Sequence, residues 1–204
     1  VAGASDTMSL GNEFTYYGVP TVTAIDPVRV PLEGDVITVT GTNLLGVTAI
    51  SVGGTAATTF EATSDTEITV TAPARVAGTV DVRVTTPGGQ SAITSADVLR
   101  YVGPPTVTGL SRTSGLLGGG QTVTITGTNF VDMNLETGVQ FGSAAATNVS
   151  VVSETQITAT IPATVTGAGT VEVTVTALGG TSSTLGVAND YRYVAAPTVI
   201  SVAP

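Results

Sequence analysis

Thr38-Val39-Thr40-Gly41-Thr42-Asn43-Leu44 returns further along the chain as Thr124-Ile125-Thr126-Gly127-Thr128-Asn129-Phe130. Its neighbours return in the same order. Gly78-Thr79-Val80-Asp81-Val82-Arg83-Val84, followed by Gly88-Gly89, comes back as Gly169-Thr170-Val171-Glu172-Val173-Thr174-Val175, followed by Gly179-Gly180. A repeat of this length sets the architecture before any strand is assigned. Pro20, Pro105 and Pro197 open successive copies at spacings of 85 and 92 residues, which is a single-domain length. Twenty steps separate Gly53 from Pro73 and Gly142 from Pro162, whereas Gly41 to Gly53 is 12 steps and Gly127 to Gly142 is 15. The second copy is therefore longer in its loops and equal in its framework, as loop tolerance predicts.

Within each copy the apolar residues alternate. Val80, Val82 and Val84 bracket Asp81 and Arg83, and Val171, Val173 and Val175 bracket Glu172 and Thr174. Period two means one buried and one wet face. Ile37 and Val39 correspond to Val123 and Ile125, Ile50 and Val52 to Val139 and Phe141, and Ile68 and Val70 to Ile157 and Ala159. Thr and Val, both strand formers, dominate between closely spaced Gly and Pro. No stretch keeps a helical period. The expected fold is all-β: two tandem sandwiches over residues 19–103 and 104–196, flanked by partial repeats. Residues 1–18, with Phe14-Thr15-Tyr16-Tyr17 before Pro20, read as the closing strand of a preceding copy. Residues 197–204 read as the opening strand of a following one. Tyr101-Val102-Gly103-Pro104-Pro105 joins the copies, and paired prolines favour a stiff, extended connection.

Pro-Thr-Val at each start, Gly-Thr-Asn-Leu/Phe after the second strand, and Gly-Gly before the closing Tyr strand resemble IPT/TIG domains, immunoglobulin-like sandwiches of the early-set type. The resemblance covers about residues 19–196. It implies a stalk or interaction module of the kind found in arrays on bacterial surfaces. Family members that act as transcription factors bring cationic loops to DNA, and this sequence departs from them in charge. Gly41 and Gly127 are expected to permit a turn closed to other residues. Asn43 and Asn129 are expected to bond loop backbone through their amides.

Charge and composition narrow the function classes. Six arginines, no lysine and 15 acidic residues among 204 leave a net charge of −9. Binding to phosphate backbones or anionic membranes needs cationic groups, of which this chain has few. No apolar run reaches the length of a membrane helix, and Val1-Ala2-Gly3 opens no signal-peptide pattern. A surface rich in Thr, Ser, Gly and Asn suits an extracellular β-protein, bacterial by its resemblance, while the absence of cysteine is neutral on compartment.

Without His, Cys or Lys the common bases and amine or thiol nucleophiles are missing. The carboxylates Glu61, Asp65 and Glu67 cluster in sequence, but Ser64-Asp65-Thr66-Glu67 matches Ser153-Glu154-Thr155-Gln156, a polar strand entrance. No enzyme and no cofactor are expected. Asp132, Asn134 and Glu136, alternating in the longer loop of the second copy, are the calcium candidate. Unit one has Leu44-Leu45-Gly46-Val47 there. Tyr16, Tyr101 and Tyr193 recur at the ends of the copies and read as core or joint residues. Asn148-Val149-Ser150 is a glycosylation sequon, relevant only in a eukaryotic secretory setting.

The leading expectation is a non-catalytic structural segment, a semi-rigid spacer or packing unit, of an extracellular surface or filament protein. Its partners would be adjacent repeats, with self-association through the end strands as a further route. The alternatives are a protein- or glycan-binding adhesion module that uses end loops such as 131–138, and accessory domains of a secreted enzyme.

Overall fold

The alternating valines become the ladders of two β-sandwiches in the computed structural model, which describes residues 16–164 and 166–201. The first repeat contains β1 (Thr21–Asp26), β2 (Arg29–Pro31), β3 (Val36–Thr42), β4 (Ala49–Val52), β5 (Thr55–Ala56), β6 (Phe60–Ser64), β7 (Glu67–Thr71), β8 (Gly78–Thr86), β9 (Gly89–Gln90) and β10 (Val98–Val102). The second contains β11 (Thr106–Leu110), β12 (Ser114–Leu116), β13 (Thr122–Thr128), β14 (Val139–Phe141), β15 (Ala144–Ala145), β16 (Thr147–Ser153), β17 (Gln156–Thr160), β18 (Gly169–Ala177), β19 (Gly180–Thr181) and β20 (Asp190–Val194). There is no helix among the described residues.

Each repeat builds the same pair of sheets. One orders β1-β3-β7-β6, matched by β11-β13-β17-β16. The other orders β2-β10-β8-β4-β5 with β9 beside β8, matched by β12-β20-β18-β14-β15 with β19 beside β18. β2 pairs parallel with β10 and β12 with β20, whereas β1 with β3, β3 with β7 and β18 with β20 pair antiparallel. Because the side-chain period is two, this register turns Ile37, Val39, Ile68, Val70, Val82 and Val84 inward, and all six are buried. The equivalent Val123, Ile125, Ile157, Ala159, Val173 and Val175 join one cluster with Phe141, Tyr191 and Tyr193.

That second core is the more aromatic. Tyr191 meets Phe141 and Tyr193 edge-on, with ring centroids 5.2 and 5.0 Å apart, where the first repeat has Leu99. The Tyr193 hydroxyl donates to the Pro162 carbonyl at 2.8 Å, and burial pushes its phenol up to about 12.

One expectation at the ends needs correction. Tyr101 and Tyr193 are buried, but Tyr16 is 88% exposed and is no core residue. Residues 197–201, which carry the opening-strand sequence, are not assigned to a strand. Most of the 1–18 segment lies outside the described residues.

Candidate functional site

The repeated Gly-Thr-Asn motif grips the chain where it leads into each sandwich. Asn43 and Asn129 have left-handed backbones, with φ of 55° and 58°. Asn is among the few residues with a side chain that tolerate this conformation. Turned this way, Asn43 Nδ2 donates to the Val19 carbonyl at 3.0 Å, and Asn129 Nδ2 donates to the Pro104 carbonyl at 3.2 Å. The motif is pinned from its other side by the turn before β7 or β17. Gly41 N–H donates to the Thr66 carbonyl and Leu44 N–H to that of Asp65, each at 3.0 Å. Gly127 and Phe130 repeat both bonds, at 3.0 Å, on Thr155 and Glu154. Leu44 and Phe130 anchor the loop by full burial.

The glycines of this site are there for space. Gly41 and Gly127 lie inside β3 and β13, without a left-handed φ, and so do not act as turn residues. A Cβ on either would strike the carbonyl of Thr21 or Thr106 in the adjacent strand. Gly88 and Gly179 face the lead-in itself, where a Cβ would strike the carbonyl of Gly18 or Gly103. Gly18 is needed in turn, because its Cβ would sit 2.5 Å from Asn43 Nδ2. Two separate sequence motifs thus close on one short segment of backbone, and both repeats do it alike.

Spatial grouping divides the chain into two compact units, and Val28–Asp35 and Ala74–Thr79 group with the residues from Leu99 onward. Within this second unit Arg29 and Arg100 are direct neighbours across the β2–β10 pair. Adjacent like charges repel, so they need an anion. Glu154 supplies it: its two oxygens accept from Arg100 at 2.8 and 2.9 Å, and Arg29 stands 3.6 Å from the same carboxylate and 3.8 Å from Asp132. The hydrogen bonds from Arg100, opposed by desolvation and helped by the charges of both arginines, hold the Glu154 carboxyl below its ordinary range. The same hydrogen bonds raise Arg100. Sequence reasoning placed Glu154 at a strand entrance and gave it no partner. The 54 residues between the two charges left no signal to find it.

The calcium candidates share one loop but face different ways. Asn134 Oδ1 accepts the N–H groups of Glu136 at 2.8 Å and Thr137 at 3.1 Å, so this oxygen is taken up in a turn. Asp132 has φ 49° and stands near Arg29. Asp132 and Asn134 line an open groove of about 420 Å³ with Thr137, Gln140 and Thr176, and Glu136 is not part of its wall. No group of three His, Cys, Asp or Glu able to hold a metal occurs among the described residues. Of the sequence cluster Glu61, Asp65 and Glu67, Glu67 accepts the Thr63 hydroxyl at 2.9 Å and Asp65 the Leu45 N–H at 3.4 Å. The first lies within the β6–β7 hairpin, and the second ties its turn to the loop after β3.

Comparison with known proteins agrees with this geometry. The family model of the IPT/TIG domain matches residues 20–101 and again 105–189. No curated protein matches. Among solved structures, the full extracellular region of plexin A4 (domains 1 to 10) aligns over 100% of this chain and 18% of its own at 22% identity, with a TM-score of 0.55. A second plexin A4 structure (domains 1 to 8) aligns over 95% of this chain and 20% of its own at 21% identity and a TM-score of 0.53. SGBP-B from a complex xyloglucan utilization locus in Bacteroides uniformis aligns over 85% of this chain and 49% of its own, at 20% identity and a TM-score of 0.39. The chain spans about a fifth of the plexin chains it matches.

Proposed function

Because the chain belongs to the IPT/TIG domain family through both repeats, we propose that it is a non-catalytic structural segment, a semi-rigid spacer or packing unit, of an extracellular surface protein. The observation that carries this reading is the doubled grip on the lead-in. Asn43 with Gly88, and Asn129 with Gly179, secure the backbone that enters each sandwich. A domain that only had to fold would not need its upstream connection held by its own loops. A spacer does, since a free swivel at every connection would lose length and direction. Pro104 and Pro105 stiffen the same segment that Asn129 holds.

The surface chemistry supports an extracellular setting, being rich in hydroxyls and poor in charge, and the fold also occurs in the extracellular region of plexin A4. Light scattering combined with small-angle X-ray scattering tests the reading. A compact chain of this length has a radius of gyration of about 17 Å. Extrapolated to the dilute limit, the spacer requires a single chain well above that value, with Asn43→Ala plus Asn129→Ala broadening its distribution of lengths. A wild-type value near the compact limit, or a distribution untouched by the double substitution, would refute it.

A further inference from the structure

The outer edge of one sheet differs between the repeats in a consistent direction. β6 and β16 are equivalent: Ala62 pairs with Ile68 as Val151 pairs with Ile157, and Glu61 with Thr69 as Ser150 with Thr158. Each ends its sheet, so among the described residues no strand lies beside its outward N–H and C=O groups. Going from β6 to β16, Glu61 becomes Ser150, Ala62 becomes Val151 and Thr63 becomes Val152, while on the next strand Glu67 becomes Gln156. Every change removes charge or adds a β-branched apolar side chain. Charges on an edge strand block pairing with other chains, and neutral β-branched edges invite it.

The geometry presents the result to solvent. Val151, opposite the buried Ile157, lies at the open margin of the core face and is 37% exposed, and Val152, where the register shifts before Ser153, is 58% exposed. No charged residue occurs from Thr147 to Ser153. The next one, Glu154, already has Arg100 on its carboxylate.

We infer that β16 is a self-association surface, pairing antiparallel with β16 of a second copy of this chain to join two four-stranded sheets into one. Charge permits this occupant: at a net charge of −9 two copies repel, but this edge carries none of that charge. It is also self-complementary. With the two-fold anywhere from Ser150 to Val152, Glu154 falls opposite one of residues 146–150 of the other copy, all of them uncharged. A two-fold contact of this kind closes on itself as a dimer. In a surface array it would link neighbouring stalks side by side.

Sedimentation equilibrium from micromolar to millimolar protein tests this, with hydrogen exchange read on the β16 amides. The wild type should dimerise reversibly and protect Val149–Ser153 as it does so. Ser150→Glu restores the charge of the first repeat and sets two carboxylates near each other across the two-fold, weakening the dimer roughly tenfold or more. Its thermal melt should match the wild type. Val152→Thr, a milder change at an exposed site, should weaken the dimer as well and serves if the first variant folds poorly. A wild type that stays monomeric at millimolar concentration overturns the inference. So does a dimer that persists in both variants, or protection on another strand, since either places the contact elsewhere.

Discussion

Replacing Asn43 by Ala, Gly and Asp separates the two contributions of this residue. The amide bond to Val19 is solvent-exposed, so its loss costs about 0.5–1 kcal/mol. The left-handed backbone at φ 55° is a second matter: Ala there adds about 1–2 kcal/mol, and Gly adds none. Asn43→Gly should therefore cost about 0.5–1 kcal/mol and Asn43→Ala about 2 kcal/mol. Asn43→Asp keeps a tolerable backbone but sets a carboxylate against the Val19 carbonyl, and should cost more than Gly. Differential scanning calorimetry reads this directly, because each kcal/mol moves the melting temperature of a domain this size by about 4–8 °C. Only the transition of the first repeat should shift, and the matching Asn129 series should move only that of the second. If Ala and Gly proved equally destabilising, the backbone argument would fail. If Gly cost nothing, the bond to the lead-in would be idle and the grip would rest on the glycines alone.

Other consequences follow from single residues. Asp97 is fully buried; its Oδ2 accepts the Thr94 N–H at 3.1 Å, while Oδ1 has no partner. The second repeat has Asn189 there, donating to Val173 at 3.4 Å and Ser183 at 3.5 Å, so Asp97→Asn should stabilise the first repeat by about 1–2 kcal/mol; a lowered melting temperature would contradict this. The Glu154 carboxyl is lowered in the folded state, so its contribution is present above the unfolded carboxylate range and lost as pH falls through the folded value. Glu154→Gln should lower the melting temperature slightly at neutral pH, less in high salt, and leave it unchanged in acid where both forms are neutral. A deficit that persisted at low pH would point to packing instead. Gly179→Ala must push its methyl against the backbone of Gly103 and should cost about 3 kcal/mol or more, seen as a drop in the denaturation midpoint of the second repeat. Melts in calcium and in chelator should coincide, because Asn134 Oδ1 is committed to its turn and Asp132 stands by Arg29; a rise in calcium that Asp132→Ala abolishes would restore the candidate site.

The strands and the core were legible in the sequence because alternation is local. Val80-Asp81-Val82-Arg83-Val84 states which face is buried without reference to any other residue, and the second copy states it again. The internal repeat also supplied the equivalences that give Asp97, Glu61 and Asn43 their meaning. The reason for Gly41 was not legible. Sequence suggests a backbone conformation, whereas the constraint is the carbonyl of Thr21 in the strand alongside, and the left-handed residue stands two places later at Asn43.

What the chain settled alone was therefore periodic: an all-β fold, two copies, the inward residues and the loops that absorb length. What only tertiary structure decided was pairwise and distant. Arg100 meets Glu154 across 54 residues, Gly88 meets Gly18, and Tyr16 stays outside although its counterparts Tyr101 and Tyr193 are buried. The physical reason is range. A side-chain pattern records the direction each residue faces, but a close approach or an ion pair exists only once two remote segments of backbone have been brought together.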